Sequence, residues 1–237
     1  MISVVIPAYN AEKTLARCLA SLRHQTMREY EIVIVNDGSR DGTARVAEQW
    51  KATLAQAGIP LTVIYQDNAG ANAARNRGAR QARGEYIIFF DADIVAAPAM
   101  LERMMNALKT HPEASYAYSA FKFGWKTFEL WPFDAVRLRH MPYIHTTSLI
   151  RRADFPGFDE HLNRFQDWDI WLTMLERRKT GICIPDILFR IVNTGGTMST
   201  WIPSFFYKLP WPLFGYTPKT VSRYREAREI IKTKHHL

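Results

Sequence analysis

The sequence predicts an α/β protein on a mostly parallel central sheet flanked by helices, with an aromatic and basic C-terminal extension. Three observations point there. The first hundred residues alternate between runs of strand periodicity and segments of helical periodicity, the sequence form of repeated βαβ units. Each apolar run passes directly into polar residues. The 237 residues suffice for one sizeable domain, and no repeat or low-complexity tract divides them.

Taken in order, "ISVVIP" reads as the first strand, and Ala11, Leu15, Leu19 and Leu22 then recur at helical spacing. "EIVIVND" is the second strand, after which Asp41 is placed to cap a helix containing Val46 and Trp50. "LTVIYQD" is the third, followed by a helix over 71–83, and "YIIFFDAD" is the fourth. Beyond Gly124 the regularity fades, until "QDWDIWLTMLERR" at 166–178 reads as helix again. The stretch "WIPSFFYKLPWPLFGYTPK" is punctuated by prolines, which excludes a regular helix or a central strand. A charged helix over about 219–234 follows it.

With 47% hydrophobic and 23% charged residues the composition is that of a globular protein, which excludes disordered and fibrous classes. Cys18 and Cys183 are too few for a disulfide framework or a zinc site, read as buried packing residues and fit a reducing compartment. "MISVVIPAYN" enters a strand without a basic leader, and no window reaches the roughly 18 to 20 apolar residues of a membrane span. The expected location is therefore cytoplasmic. The formal charge of +8 suits nucleic acid, an anionic membrane or a phosphorylated small molecule, and only position along the chain can choose among them.

In an open parallel sheet the ligand lies beyond the carboxyl ends of the strands. Those ends carry Tyr9 and Asn10, then Asn36, Asp37 and Gly38, then Gln66, Asp67 and Asn68, then Asp91 and Asp93. Two carboxylates that close repel unless a cation lies between them, and Mg²⁺ or Mn²⁺ commonly combines one or two carboxylates with substrate phosphates. Such an ion neutralises a departing diphosphate. In "DNAGANAARNRGAR", Gly70 permits close backbone approach, and Arg75 stands near a helix start, where anions are favoured. Arg77 and Arg80 read as a solvated face.

"VVIPAYNAEKTLARCLASL", "IVIVNDGSRDGT", "NAGANAARNRGA", "YIIFFDADI" and "FQDWDIWLTM", in this order and spacing, resemble the inverting family-2 glycosyltransferases with the GT-A nucleotide-sugar fold. The likeness covers about residues 2–178. It implies that Pro7, Ala8, Tyr9 and Asp37 contact the base or ribose, that Arg75 helps hold the nucleotide or diphosphate, and that Asp91 and Asp93 form the D-x-D pair on Mn²⁺ or Mg²⁺. Asp167 matches the catalytic base, which takes the proton of an attacking acceptor hydroxyl. The implied partners are a nucleotide diphosphate sugar and a glycan or lipid-linked glycan acceptor, in cell-surface polysaccharide or glycolipid assembly. The implied division is a catalytic domain over 1–200, donor half to about 95 and acceptor half over 96–200, then an extension over 201–237.

The sequence departs from the family pattern at Gln166, commonly Glu, and at Asn193, where relatives often carry a metal-reaching His. Asp169 is the reserve base, although on a helix it stands about 200° from Asp167. His145, Gln166 and Trp168 are candidates for the acceptor or sugar pocket, while Trp171 reads as core. The amphipathic tail suits either an anionic membrane surface, hence peripheral binding at the inner face of the cell membrane, or a wrap that covers the acceptor side of the catalytic domain or makes a dimer contact. No nucleic acid is expected. The competing reading is a basic membrane- or nucleic-acid-binding module without transferase activity. A dehalogenase-like phosphotransferase is disfavoured because the Asp pair follows the fourth strand, and a dinucleotide oxidoreductase because "PAYNAEKT" lacks the glycine fingerprint.

Overall fold

A computed structural model describes residues 1–192, 211 and 218–237. Asn193 and, apart from Trp211, Pro218 and Lys219, the aromatic tail stretch lie outside the described residues.

The first half alternates as the periodicity predicts: β1 (Ile2–Ala8), α1 (Glu12–Arg23), β2 (Tyr30–Asp37), α2 (Thr43–Gln56), β3 (Leu61–Gln66), α3 (Ala71–Gln81) and β4 (Tyr86–Phe89). These strands lie in the order β3-β2-β1-β4, every pair parallel. Successive β1 and β2 residues serve opposite faces. Val4, Ile6, Ile32 and Ile34 join one apolar cluster with α1, α2 and residues such as Met100 and Met104, and Val5, Val33 and Val35 join another with α3, Trp168 and Trp171. Asp41 bonds the first helical N–H of α2, from Thr43, at 3.0 Å.

Two local features bring α3 to the site. Gly70, its N-cap, has φ 91° and ψ 160°, a conformation that side chains with a Cβ rarely adopt. Gly78 faces the sheet, where a methyl group would collide with Val5 and Val35. β4 is shorter than the apolar run suggested. Its pairing with β1 ends at Val5 and Phe89, a last bond runs from Phe90 N to Val5 O at 2.9 Å, and Asp91 then leaves the sheet.

The second half comprises β5 (Ile94–Ala96), α4 (Met100–Thr110), β6 (Ala114–Phe123), β7 (Lys126–Phe128), α5 (Ala135–His140), β8 (Leu149–Arg151), α6 (Gln166–Glu176), β9 (Thr180–Ile191) and α7 (Lys219–Lys234). The sheet continues β4-β8-β6-β9-β5, with β7 beside β6. Here only β6 and β9 run parallel, so the all-parallel pattern belongs to the first half. The helices read over 71–83 and 166–178 end two residues early, at Gln81 and Glu176. Cys18 is buried, and Cys183, expected to be buried, is half-exposed; both are free thiols. Among the described residues no helix is long and apolar enough to cross a membrane.

Candidate active site

Where the loop after β4 meets the first turns of α3 and α6, a cavity of about 540 Å³ opens, lined by Arg75, Asp91, His145, Gln166, Asp167 and Tyr224. Five of the eleven lining residues, Arg75, Asp91, His145, Gln166 and Asp167, are ones the sequence singles out.

Arg75, 8% exposed, donates from Nη2 to Asp91 Oδ1 at 2.7 Å and from Nη1 to Asn72 Oδ1 at 3.0 Å. Its guanidinium lies over the Phe158 ring at 5.3 Å, and its buried Nε has no partner among the described residues. Burial is the largest influence on the Asp91 carboxylate and works against its charge, but the Arg75 charge, His145 and the Arg75 hydrogen bond together outweigh it and hold the pKa below the usual carboxylate range. Among the described residues Asp93 has no such partner. Burial, then repulsion from Asp91, raises its pKa to about 6. Asp93 does not line the cavity.

Among the described residues no group of three or more His, Cys, Asp and Glu is arranged to hold a metal ion. An ion at Asp91 and Asp93 would need further oxygens from a ligand, which is how Mg²⁺ and Mn²⁺ commonly bind beside phosphates. The uncompensated second carboxylate fits such an ion.

His145 packs against the stacked pair Phe121 and Phe189, with centroids at 5.1 and 5.2 Å. Its Nδ1 accepts the Thr147 N–H at 3.0 Å, so the ring proton sits on Nε2. Burial depresses its pKa to about 4, and the imidazole is neutral at neutral pH.

Asp167 occupies the first turn of α6. Its Oδ1 accepts the Trp168 N–H at 2.8 Å, yet burial outweighs that bond and raises its pKa above the usual carboxylate range. The preceding residue, Phe165, has φ 58° and ψ 29°, a left-handed conformation costing about 1–3 kcal/mol for a bulky residue. Rings of Trp168 and Tyr224 hold it, at 5.8 and 5.1 Å. That turn aims Gln166 and Asp167 at the cavity.

Trp168 is a correction. It is fully buried and its Nε1 donates to Leu138 O at 2.6 Å, so it cannot line a sugar pocket. Trp171, bonded to Ile144 O at 2.9 Å, is core as expected. Asp169 points away from the cavity, to Lys234 and His235 at 2.8 Å each, and is unavailable as a reserve base.

Pro7, Ala8, Tyr9 and Asp37 stand apart from the cavity lining. Tyr9 is 52% exposed beside the end of β1. Asp37 is buried and accepts from Gln66 Nε2 at 2.7 Å and from the N–H groups of Ala69 and Gly70 at 2.9 Å each, fixing the loop that leads into α3.

The sequence reading missed three contributors. Asn72 and Asn76, one turn apart on α3, hold the 158–162 loop through Asp159 O and Phe158 O at 2.8 Å each. Their i, i+4 spacing around Arg75 was the available signal. Tyr224 carries no motif, and nothing short of the docking of α7 reveals it.

The sheet order and flanking helices form a GT-A, Rossmann-like fold. TarS of S. aureus, solved in complex with UDP-GlcNAc, superposes with a TM-score of 0.72 at 21% identity, over 87% of this chain and 63% of that one. The mannosyltransferase PcManGT of Pyrobaculum calidifontis, solved with GDP-Man and Mn²⁺, gives 0.68 at 21% identity, over 82% and 58%. The family model of glycosyl transferase family 2 matches residues 3–166, and the chain belongs to that family. Relatives include the putative glycosyltransferase EpsH of Bacillus subtilis, 42% identical over 44% of this chain and 29% of that one. Another is EpsE of the same organism, 25% identical over 80% and 72%. The chain thus spans under a third of the length of EpsH.

Proposed function

We propose that the protein is a metal-dependent inverting glycosyltransferase that moves a sugar from a nucleotide diphosphate sugar to an acceptor hydroxyl. The observation that carries this reading is the single cavity shared by Asp91, clamped by Arg75, and by Asp167, a carboxylate of raised pKa. Asp91 and Asp93 would hold Mn²⁺ or Mg²⁺, which when bound neutralises charge on the diphosphate. Arg75 contributes a fixed positive charge near that group and keeps Asp91 ionised. Asp167 takes the acceptor proton as the oxygen bonds to the anomeric carbon, while the bond to the diphosphate breaks and its electron pair leaves with the diphosphate. One base and one departing group imply inversion without a covalent glycosyl-enzyme.

His145, Gln166 and the spare donor of Arg75 would orient the sugar and diphosphate, with Pro7, Ala8, Tyr9 and Asp37 on the nucleoside side. The ligands named for the TarS and PcManGT structures support a UDP or GDP sugar donor. A glycan or lipid-linked glycan acceptor, in polysaccharide or glycolipid assembly at the inner face of a membrane, is consistent with the +8 charge.

A thermal-shift screen of UDP and GDP sugars, with and without Mn²⁺, tests the donor reading; metal-linked stabilisation is expected by mass action. Asp167→Asn should retain that stabilisation and lose transfer by about a hundredfold or more, the scale of general base catalysis. Full activity in the variant, or no nucleotide response in the native protein, would sink the proposal.

A further inference from the structure

The last helix of the fold contributes to the cavity at one end and is fastened at the other. Tyr224, in the second turn of α7, lines the cavity and meets the ring of Phe165, the left-handed residue that precedes Gln166 and Asp167. Near the opposite end, Ile231 is buried in the cluster that contains Trp168 and Trp171. His235, just beyond α7, is itself buried. Its Nε2 lies 2.8 Å from Asp169 Oδ1 and its Nδ1 lies 2.6 Å from Glu176 Oε1.

Asp169 and Glu176 are seven residues apart on α6, two turns along one face. A carboxylate at each ring nitrogen is satisfied only by an imidazolium, which donates from both. Lys234 adds bonds to Asp169 at 2.8 Å and to Asp159 at 2.7 Å. The groups facing His235 are therefore Asp169 and Glu176 from α6, Lys234 from its own helix and Asp159 from the loop held by Asn72. This accounts for Asp169, which the reaction does not use.

We propose that His235 is a positioning residue for chemistry at Asp167: by bonding Asp169 and Glu176 together it holds α7 on α6, and so holds Tyr224 against Phe165. The kinetic part rests on the glycosyltransferase reading; the structural part does not. Burial opposes the charge on the ring, but the two carboxylates prevail and raise its pKa above the usual histidine value. A raised folded-state pKa means the clamp contributes fully below about pH 6.5, the unfolded value, and weakens as pH rises through the folded one.

The test compares the native protein with His235→Ala and His235→Gln. NMR titration of the native protein should give His235 a pKa above 6.5, about the reference value. Amide exchange at 163–168 and 219–232 should quicken as pH passes that value, after correction for intrinsic rates, and by about tenfold or more in His235→Ala, as local opening becomes easier. His235→Gln, which keeps one bond, should lie between. Release of nucleoside diphosphate from UDP-GlcNAc or GDP-mannose should fall in kcat by about tenfold to a hundredfold in His235→Ala, a misplacement effect. UDP and GDP affinity with Mn²⁺ should stay within about twofold, because Arg75 and Asp91 are held by each other and by Asn72 of α3. Added imidazole should restore part of the rate.

Unchanged exchange at 163–168 in the variants would overturn the proposal. So would a His235 pKa at or below the reference value. If His235→Ala does not fold, the native titration and His235→Gln still decide. If the native protein turns over neither donor while titration and exchange behave as expected, the clamp stands and the transferase reading fails.

Discussion

At the scale of single residues, the site works through contrasts between neighbours. Asp91 and Asp93 are two positions apart, yet Arg75 keeps the first ionised while the second is left uncompensated. Lysine cannot reproduce the fork that serves Asn72 and Asp91 at once, so Arg75→Lys should weaken Mn²⁺-dependent nucleotide binding by about tenfold, one charged hydrogen bond. Calorimetric titration checks this. Asp167 has a raised pKa and must be ionised to act as base, so kcat should fall as pH drops through a value above the usual carboxylate range. A pH–rate profile checks that limb. Asp91 and Arg75 stood out as polar types at a strand end and near a helix start, Asp167 and Gln166 were implied by the family resemblance, and the fold brings these four and His145 to one cavity. Trp168 was misread because an aromatic next to a base looks the same in sequence whether it faces the cavity or the core.

At the scale of elements, helical phase decides roles. Asp167 and Asp169 are one residue removed from adjacency, and the helix sends one to the cavity and the other to α7. Trp168 faces inward with Trp171. Trp168→Phe should lose about 1 kcal/mol with the bond to Leu138 O, and should leave the KM for donor unchanged. Denaturant titration and donor kinetics separate the two effects. Gly78 sets how near α3 lies to β1 and β2. Gly78→Ala should destabilise the fold by about 1–3 kcal/mol through overpacking, and also displace Arg75 three residues earlier. Chemical denaturation and nucleotide affinity would report both. The separation of Asp167 from Asp169 on α6 was readable from spacing, whereas the fastening of α7 was not, because it depends on side chains 59 and 66 residues apart in sequence.

At the scale of the whole molecule, the first half of the sheet was written in local periodicity, and the second half was not. β1 to β4 are apolar runs between amphipathic helices, and their parallel pairing follows from the crossovers. β5 and β8 are three residues each, too short to carry a period, and are strands only because longer neighbours pair with them. The two carboxylates lie in the gap this creates, since the chain leaves β4 near the middle of the sheet and rejoins it at the far edge.

That geometry has a consequence in time. The loop holding Asp91 and Asp93 is anchored on one side by Phe90 to Val5 and on the other by Val192 N to Asp93 O at 2.9 Å. Both anchors join distant parts of the chain, but the first is complete once β4 has been made, while the second needs β9, synthesised nearly a hundred residues later, to meet β5. Contacts of such separation form late. On a ribosome that has not yet released β9, the turn holding Asp91 and Asp93 should be half-tethered. Fluorescence-detected refolding should therefore complete its early phase before Mn²⁺-dependent nucleotide binding returns.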